Sequence, residues 1–158
     1  DEAPHYQHSE LGYNYRLSNV CAGIGRGQME VLDQRIAQRR ANHQFYQDIF
    51  KDIEGVTVFS EPNEDYFSNF WLTNIIIDPS VSTCNREILR LKLLENDIES
   101  RPLWKPLHLQ PIFKSSTYFG AKVSETLFNN GLCLPSGSNL SDEDKTRISN
   151  CIKSCFEK

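Results

Sequence analysis

Ile49-Phe50-Lys51-Asp52-Ile53-Glu54-Gly55-Val56-Thr57-Val58-Phe59 is the stretch in which the chain changes its period. Upstream, Val20, Cys21, Ile24, Val31, Leu32 and Ile36, then Phe45, Ile49, Phe50 and Ile53, recur at steps of three and four, the spacing of one helix face. Downstream of Gly55 the residues are β-branched or aromatic and the pieces are short and extended. Gly55 itself suits the left-handed conformation that ends helices. A long helix over 20–54 is therefore predicted, started by Ser18 or Asn19, either of which can accept a bond from a free helical N–H. Strands follow at 56–59 and 70–77, the second stopped by Asp78-Pro79. Within the helix, Arg35, Gln38, Arg39, Arg40, Asn42, His43 and Gln44 form a polar stretch, read as a helix leaving one packed surface to reach another.

Further along, 85–95 carries Ile88, Leu89, Leu91, Leu93 and Leu94 and reads as a helix, with a short strand at 98–101 after it. Pro102, Pro106 and Pro111 lack the N–H that a ladder needs, so regular pairing is not expected there. Leu132-Cys133-Leu134 reads as a buried strand closed by Pro135-Ser136-Gly137. Ser141 and Asp144 form a capping box for a last helix whose apolar stripe is Ile148, Cys151, Ile152, Cys155 and Phe156. The order is long helix, β, β, α, β, loop, β, α. That is an α+β plan, a small mixed or antiparallel sheet with helices on one side. Residues 1–15 have no core partner of their own, so the chain reads as starting inside something larger, with 1–16 mobile or held by another chain.

Composition narrows the function. The 158 residues carry 17 Lys and Arg against 21 Asp and Glu, a net charge of −4, and 39% are hydrophobic, enough to bury a core. Collagen, coiled coil and disordered tail are excluded. An acidic chain without a basic run is not built to neutralise a nucleic-acid backbone. No apolar run approaches the twenty or so residues that span a bilayer, and Asp1-Glu2-Ala3-Pro4-His5 has no secretory character. Five cysteines without a CxxC fit reduced thiols, so a cytoplasmic setting is expected.

Several motifs invite a chemical reading. Gly23-Ile24-Gly25-Arg26-Gly27 suggests a phosphate loop, but no strand precedes it and the helical period runs through it, so close packing of a neighbour explains the glycines better. Cys133 with His108 would make a thiol nucleophile and base, although Leu-Cys-Leu suits a small buried hydrophobe. Cys151 and Cys155 belong to an apolar stripe, and His5 and His8 lack zinc-ligand spacing, so no metal is predicted. In Arg101-Pro102-Leu103-Trp104-Lys105-Pro106-Leu107-His108-Leu109-Gln110-Pro111 an extended backbone would put Arg101 and Lys105 on one side and Trp104 and His108 on the other. The set suits an anionic ligand that carries a ring; a proline-stiffened loop of solvated charges accounts for the composition equally and is the commoner case. Gly12-Tyr13-Asn14-Tyr15-Arg16-Leu17-Ser18-Asn19, before the long helix, is either an anion-contacting cluster or a capping loop with inward tyrosines.

Three blocks, 8–19, 101–111 and Gly131-Leu132-Cys133-Leu134-Pro135-Ser136-Gly137, together resemble the pyridoxal-phosphate-dependent sugar aminotransferases of the DegT/DnrJ/StrS family. Within it they are most similar to the enzymes that aminate C4 of UDP-linked 4-keto-6-deoxy-N-acetylhexosamines for surface polysaccharide or glycan biosynthesis. The resemblance implies the C-terminal part of a fold-type-I enzyme. On that reading 1–19 is the end of the large domain with a cofactor-phosphate loop, 20–54 the connecting helix, and 55–158 the small domain. It also implies pyridoxal 5'-phosphate as cofactor, a UDP-sugar substrate, glutamate as amino donor and a homodimer. The family's Schiff-base lysine belongs to an upstream motif, so no residue here is assigned as catalytic; Lys105 is not that lysine, and the chain alone is expected to be inactive. Asn14 matches the asparagine that reaches the cofactor phosphate of the other subunit, with Arg16 as a helper. Arg101, Trp104, Lys105 and His108 become candidates for the sugar and its diphosphate. The rival from another class is a non-catalytic small domain that only binds or assembles.

Overall fold

The computed structural model describes residues 1–157. The long helix is present with a break in it. Helix α1 (Asn19–Met29) starts at Ser18, whose hydroxyl accepts from the Cys21 N–H at 3.2 Å, and α2 (Leu32–Phe50) continues after a turn at Glu30-Val31. At the turn the Val31 N–H bonds back only three residues, to the Gln28 carbonyl, and Val31 leaves helical geometry at φ −118°. No residue of α1 is buried and three of its eleven are glycines, so neither packing nor propensity holds the rod straight.

Four strands follow: β1 (Val56–Val58), β2 (Thr73–Ile77), β3 (Arg101–Pro102) and β4 (Gly131–Leu134). They pair in the order β1-β2-β4-β3, every pair antiparallel, with Val56 opposite Ile77, Ile75 opposite Leu132 and Arg101 opposite Cys133. Gly55, at φ +78°, makes the turn into β1, and an added Cβ would stand 2.9 Å from the Ser82 backbone nitrogen. β2 begins at Thr73, three residues after the predicted start, because Phe70 takes φ +45° and breaks the extended run. The strand expected at 98–101 lies instead at 101–102. Pro102 is paired there, which its missing N–H allows because β3 is an edge strand.

Helices α3 (Arg86–Glu95), α4 (Val123–Asn130) and α5 (Asp142–Phe156) complete the fold, with 3₁₀ turns at Leu107–Leu109 and Pro111–Phe113. The capping box of α5 is formed as predicted; α4 has no counterpart among the predicted elements. Tyr46 and Phe50 of α2, Leu89 and Leu93 of α3, and Ile148 and Ile152 of α5 close over Ile75, Ile77, Leu132 and Leu134 to make one core. Burying side chains of this size stabilises by roughly 1.5–3 kcal/mol each. Among the described residues no helix is long and apolar enough to cross a membrane.

Candidate functional site

β3 delivers Arg101 and the segment after it to the edge of the sheet. The backbone does not stay extended: it turns into 3₁₀ geometry at Leu107–Leu109, so the alternation expected from the sequence is lost. Arg101, Trp104 and Lys105 gather on residues 6–7 instead. The Arg101 guanidinium donates to the Tyr6 hydroxyl at 3.1 Å and to Glu99, with which it forms an ion pair at 2.6 Å. The Tyr6 ring stacks near parallel to Trp104 at 6.3 Å between centroids, and Lys105 Nζ donates to Gln7 Oε1 at 2.9 Å. Gln110, buried, fastens the segment by accepting from the His8 N–H at 2.9 Å and donating to the Tyr6 carbonyl at 3.0 Å. Residues 6–8 therefore dock on their own chain, whereas the sequence alone predicts 1–16 to be mobile or held by another chain. His108 turns elsewhere, with Nε2 3.2 Å from Glu125 Oε1 and its ring stacked on Tyr118 at 3.8 Å.

An open cleft of about 520 Å³ lies beside this cluster, its wall including Tyr6, Trp71, Arg101, Trp104, Ser136 and Arg147. Trp71 and Trp104 are 6.0 Å apart between rings and both are half exposed. The cleft thus offers aromatic faces and guanidinium groups together, the combination that suits a ring-bearing anion. Glu99 bonded to Arg101 keeps that guanidinium firmly charged, so an anion has to compete with a carboxylate for it. Arg101 and Trp104 line the cleft; Lys105 and His108 do not.

The polar stretch of α2 does something the sequence pattern does not announce. Asn42 and His43 are buried, and Arg39, Asn42 and Tyr46, three and four residues apart, point at one turn. Arg39 donates to the Ser136 carbonyl at 3.1 Å, Asn42 to that of Gly137 at 2.8 Å and Tyr46 to that of Pro135 at 2.8 Å. A second pair, Arg40 and His43, holds the long 59–72 connection. Arg40 bonds Glu61 at 2.8 Å and lies over the Phe67 and Phe70 rings, while His43 stacks on Phe70 at 3.7 Å. The one trace of this in the sequence is that Arg39 and Asn42 share the helical period of Tyr46; their carbonyl partners lie far along the chain.

Asn14 and Arg16 lie apart from the cleft, on the exposed run into α1. Asn14 Oδ1 accepts from the Arg16 N–H at 2.8 Å, and Arg16 takes φ +70°. The Asn14 amide N–H groups and the Arg16 guanidinium have no partner among the described residues, and Tyr13 and Tyr15 beside them are 75% and 93% exposed rather than packed inward. A free carboxamide donor beside a free guanidinium is a donor set that fits a phosphate dianion. Cys133 and His108 do not form a nucleophile and base: burial pushes the Cys133 thiol up to about 11, and His108 is engaged with Glu125.

Known proteins share the fold and much of the sequence of this chain. EpsN of Bacillus subtilis (strain 168) is 42% identical over 152 residues, covering 94% of this chain and 38% of EpsN. GDP-perosamine synthase of Vibrio cholerae is 36% identical over 154 residues, covering 96% of the chain and 41% of that enzyme. A crystal structure of a DegT DnrJ EryC1 StrS aminotransferase from Brucella abortus, 27% identical, superposes with a TM-score of 0.76 over all of this chain and 40% of its own. The chain thus spans about two fifths of the length of the relatives it matches. Its residues 1–153 fit the sequence profile of one family throughout, and with the fold in agreement the chain belongs to the DegT/DnrJ/EryC1/StrS aminotransferase family, whose cofactor is pyridoxal phosphate.

Proposed function

We propose that this chain is the C-terminal portion of a cytoplasmic, homodimeric aminotransferase that converts a nucleotide-linked 4-keto-6-deoxy sugar to the 4-amino sugar, with glutamate as donor, for surface polysaccharide or glycan synthesis. The observation that carries the reading is the cleft in which Arg101 and Trp104 stand together with Trp71. Relatives support the substrate class by name, among them GDP-perosamine synthase and dTDP-4-amino-4,6-dideoxy-D-glucose transaminase.

Pyridoxal phosphate, when bound, supplies the electron sink for the amino transfer. The residues of this chain bind and orient. Asn14, assisted by Arg16, holds the cofactor phosphate of the partner subunit by donating N–H bonds to it. Arg101, on the cleft wall, meets the substrate diphosphate by exchanging Glu99 for phosphate oxygens, and Lys105, held by Gln7 outside that wall, joins it on letting go of Gln7. Trp104 offers a flat face to the ring-bearing end and sheds water from it. His108, tied to Glu125 at Nε2 and stacked on Tyr118 outside the cleft wall, makes no substrate contact in this reading.

The test is turnover by the intact enzyme, loaded with cofactor and glutamate, on UDP-, GDP- and dTDP-linked 4-keto-6-deoxy sugars. One of the three is expected to be aminated at C4; no reaction with any of them overturns the reading. Two variants then separate the sites. Asn14→Ala is expected to weaken cofactor retention about 10- to 150-fold, the loss of a bond to an ionised partner worth on the order of 1.5–3 kcal/mol. Lys105→Ala is expected to raise KM for the nucleotide sugar and leave cofactor retention alone. Normal retention in the first and lost retention in the second would reverse the assignments.

A further inference from the structure

We propose that Arg39 is a positioning residue for the cleft: its guanidinium bridges the carbonyls of Trp71 and Ser136, and through that bridge it sets the Trp71 indole as a wall of the ligand site. The argument starts from how little else holds Trp71. Its side chain is 57% exposed, so burial does not fix it. Its own N–H bonds only locally, to Asn69 Oδ1 at 3.0 Å, within the same connection. The preceding residue, Phe70, is turned inward at φ +45° and stacked on His43, which sends Phe70 to the core side and leaves Trp71 at the rim.

From the Trp71 carbonyl outward, Arg39 is the group that ties the residue to a rigid element, with one nitrogen donating to both Trp71 and Ser136. Ser136 in turn accepts from the Thr73 N–H at 2.7 Å and donates to the Leu134 carbonyl at 2.8 Å, so the same bridge registers the cleft turn against β2 and β4. The turn has further anchors, Asn42 and Tyr46, whereas Trp71 has none from α2. Removing Arg39 should therefore free the indole while the turn and the core stay in place. A half-exposed indole without a fixed backbone would sample other positions, and a ligand would have to order it on binding.

The activity arm of the test rests on the function proposed above; the spectroscopic arm does not. In the intact enzyme labelled with 5-fluorotryptophan, Trp71→Phe identifies the ¹⁹F line of Trp71. Arg39→Met, which keeps the stem and removes the donors, is expected to shift or broaden that line and, through the 6.0 Å ring contact, that of Trp104, and to leave the tryptophan lines away from the cleft unmoved. It should raise KM for the nucleotide sugar about tenfold, with kcat and cofactor retention within twofold of the parent. Combined with Trp71→Ala it should add nothing to the KM of Trp71→Ala alone. Arg39→Lys, whose ammonium cannot match the geometry of the guanidinium, should give an intermediate line position, and serves if the methionine variant does not fold. An unmoved Trp71 line in either variant overturns the proposal. So does a double mutant whose KM defects multiply. If the parent aminates no nucleotide sugar, the function reading fails while the ¹⁹F result still decides the role of Arg39.

Discussion

Cys133 and Cys21 show how far apart two thiols of one chain can stand. Cys133 is buried within β4 and that burial raises its thiol to about 11, so it is protonated across the physiological range; Cys21 lies exposed on α1. Brief treatment with iodoacetamide at pH 7.5, read by peptide mass spectrometry, should label Cys21 and spare Cys133. Gly131 gives a second test at the same scale. Its backbone is ordinary, at φ −99°, yet a Cβ there would stand 2.1 Å from Leu103 Cδ1 and 2.5 Å from the Leu127 carbonyl oxygen. Gly131→Ala should cost about 1–3 kcal/mol of overpacking in a urea melt of the intact protein, through loss of space rather than of any bond.

Helix α3 starts on a side-chain cap. Asn85 Oδ1 accepts from the N–H groups of Glu87 and Ile88, both at 3.0 Å, and Asn85→Ala should lower stability by about 1 kcal/mol, measured by the shift of the denaturation midpoint. Caps of this kind are local, which is why α3 and α5 could be read closely from the chain. The same holds for β4, whose Leu-Cys-Leu run is buried on both faces. Other elements depend on distant partners and were hidden. α4 is eight residues, five of them with polar side chains such as Ser124 and Asn130, and none is buried, so it offers only two turns of pattern to read. The break at Glu30-Val31 lies inside an unbroken apolar period; what interrupts it is the lack of packing around α1. The polar middle of α2 was visible as polar, but its targets, the carbonyls at 135–137, lie about a hundred positions away. At the site, Arg101 and Trp104 were found by residue type, whereas Trp71 became a member only through the fold.

Gln110 joins the two ends of the chain's site, and the whole molecule depends on it more than its single side chain suggests. It bonds the backbone of residues 6 and 8 and its own Lys105 carbonyl. Gln110→Ala leaves those groups unpaired at roughly 1–3 kcal/mol, and amide hydrogen exchange at His8 should accelerate by about tenfold or more while exchange in β4 is unchanged. The sheet order has a consequence of its own for how the molecule comes into being. β4 is inserted between β2 and β3 although it is the last strand of the sequence, so both of its neighbours wait for it. On the ribosome, Thr73–Ile77 and Arg101–Pro102 emerge with a bare edge each, and neither can be satisfied until residue 134 has cleared the exit tunnel. Formation of the core is thereby deferred until β4 has been made, and a chain cut between Pro102 and Gly131 presents two sticky strand edges to whatever chaperone or protease meets it first.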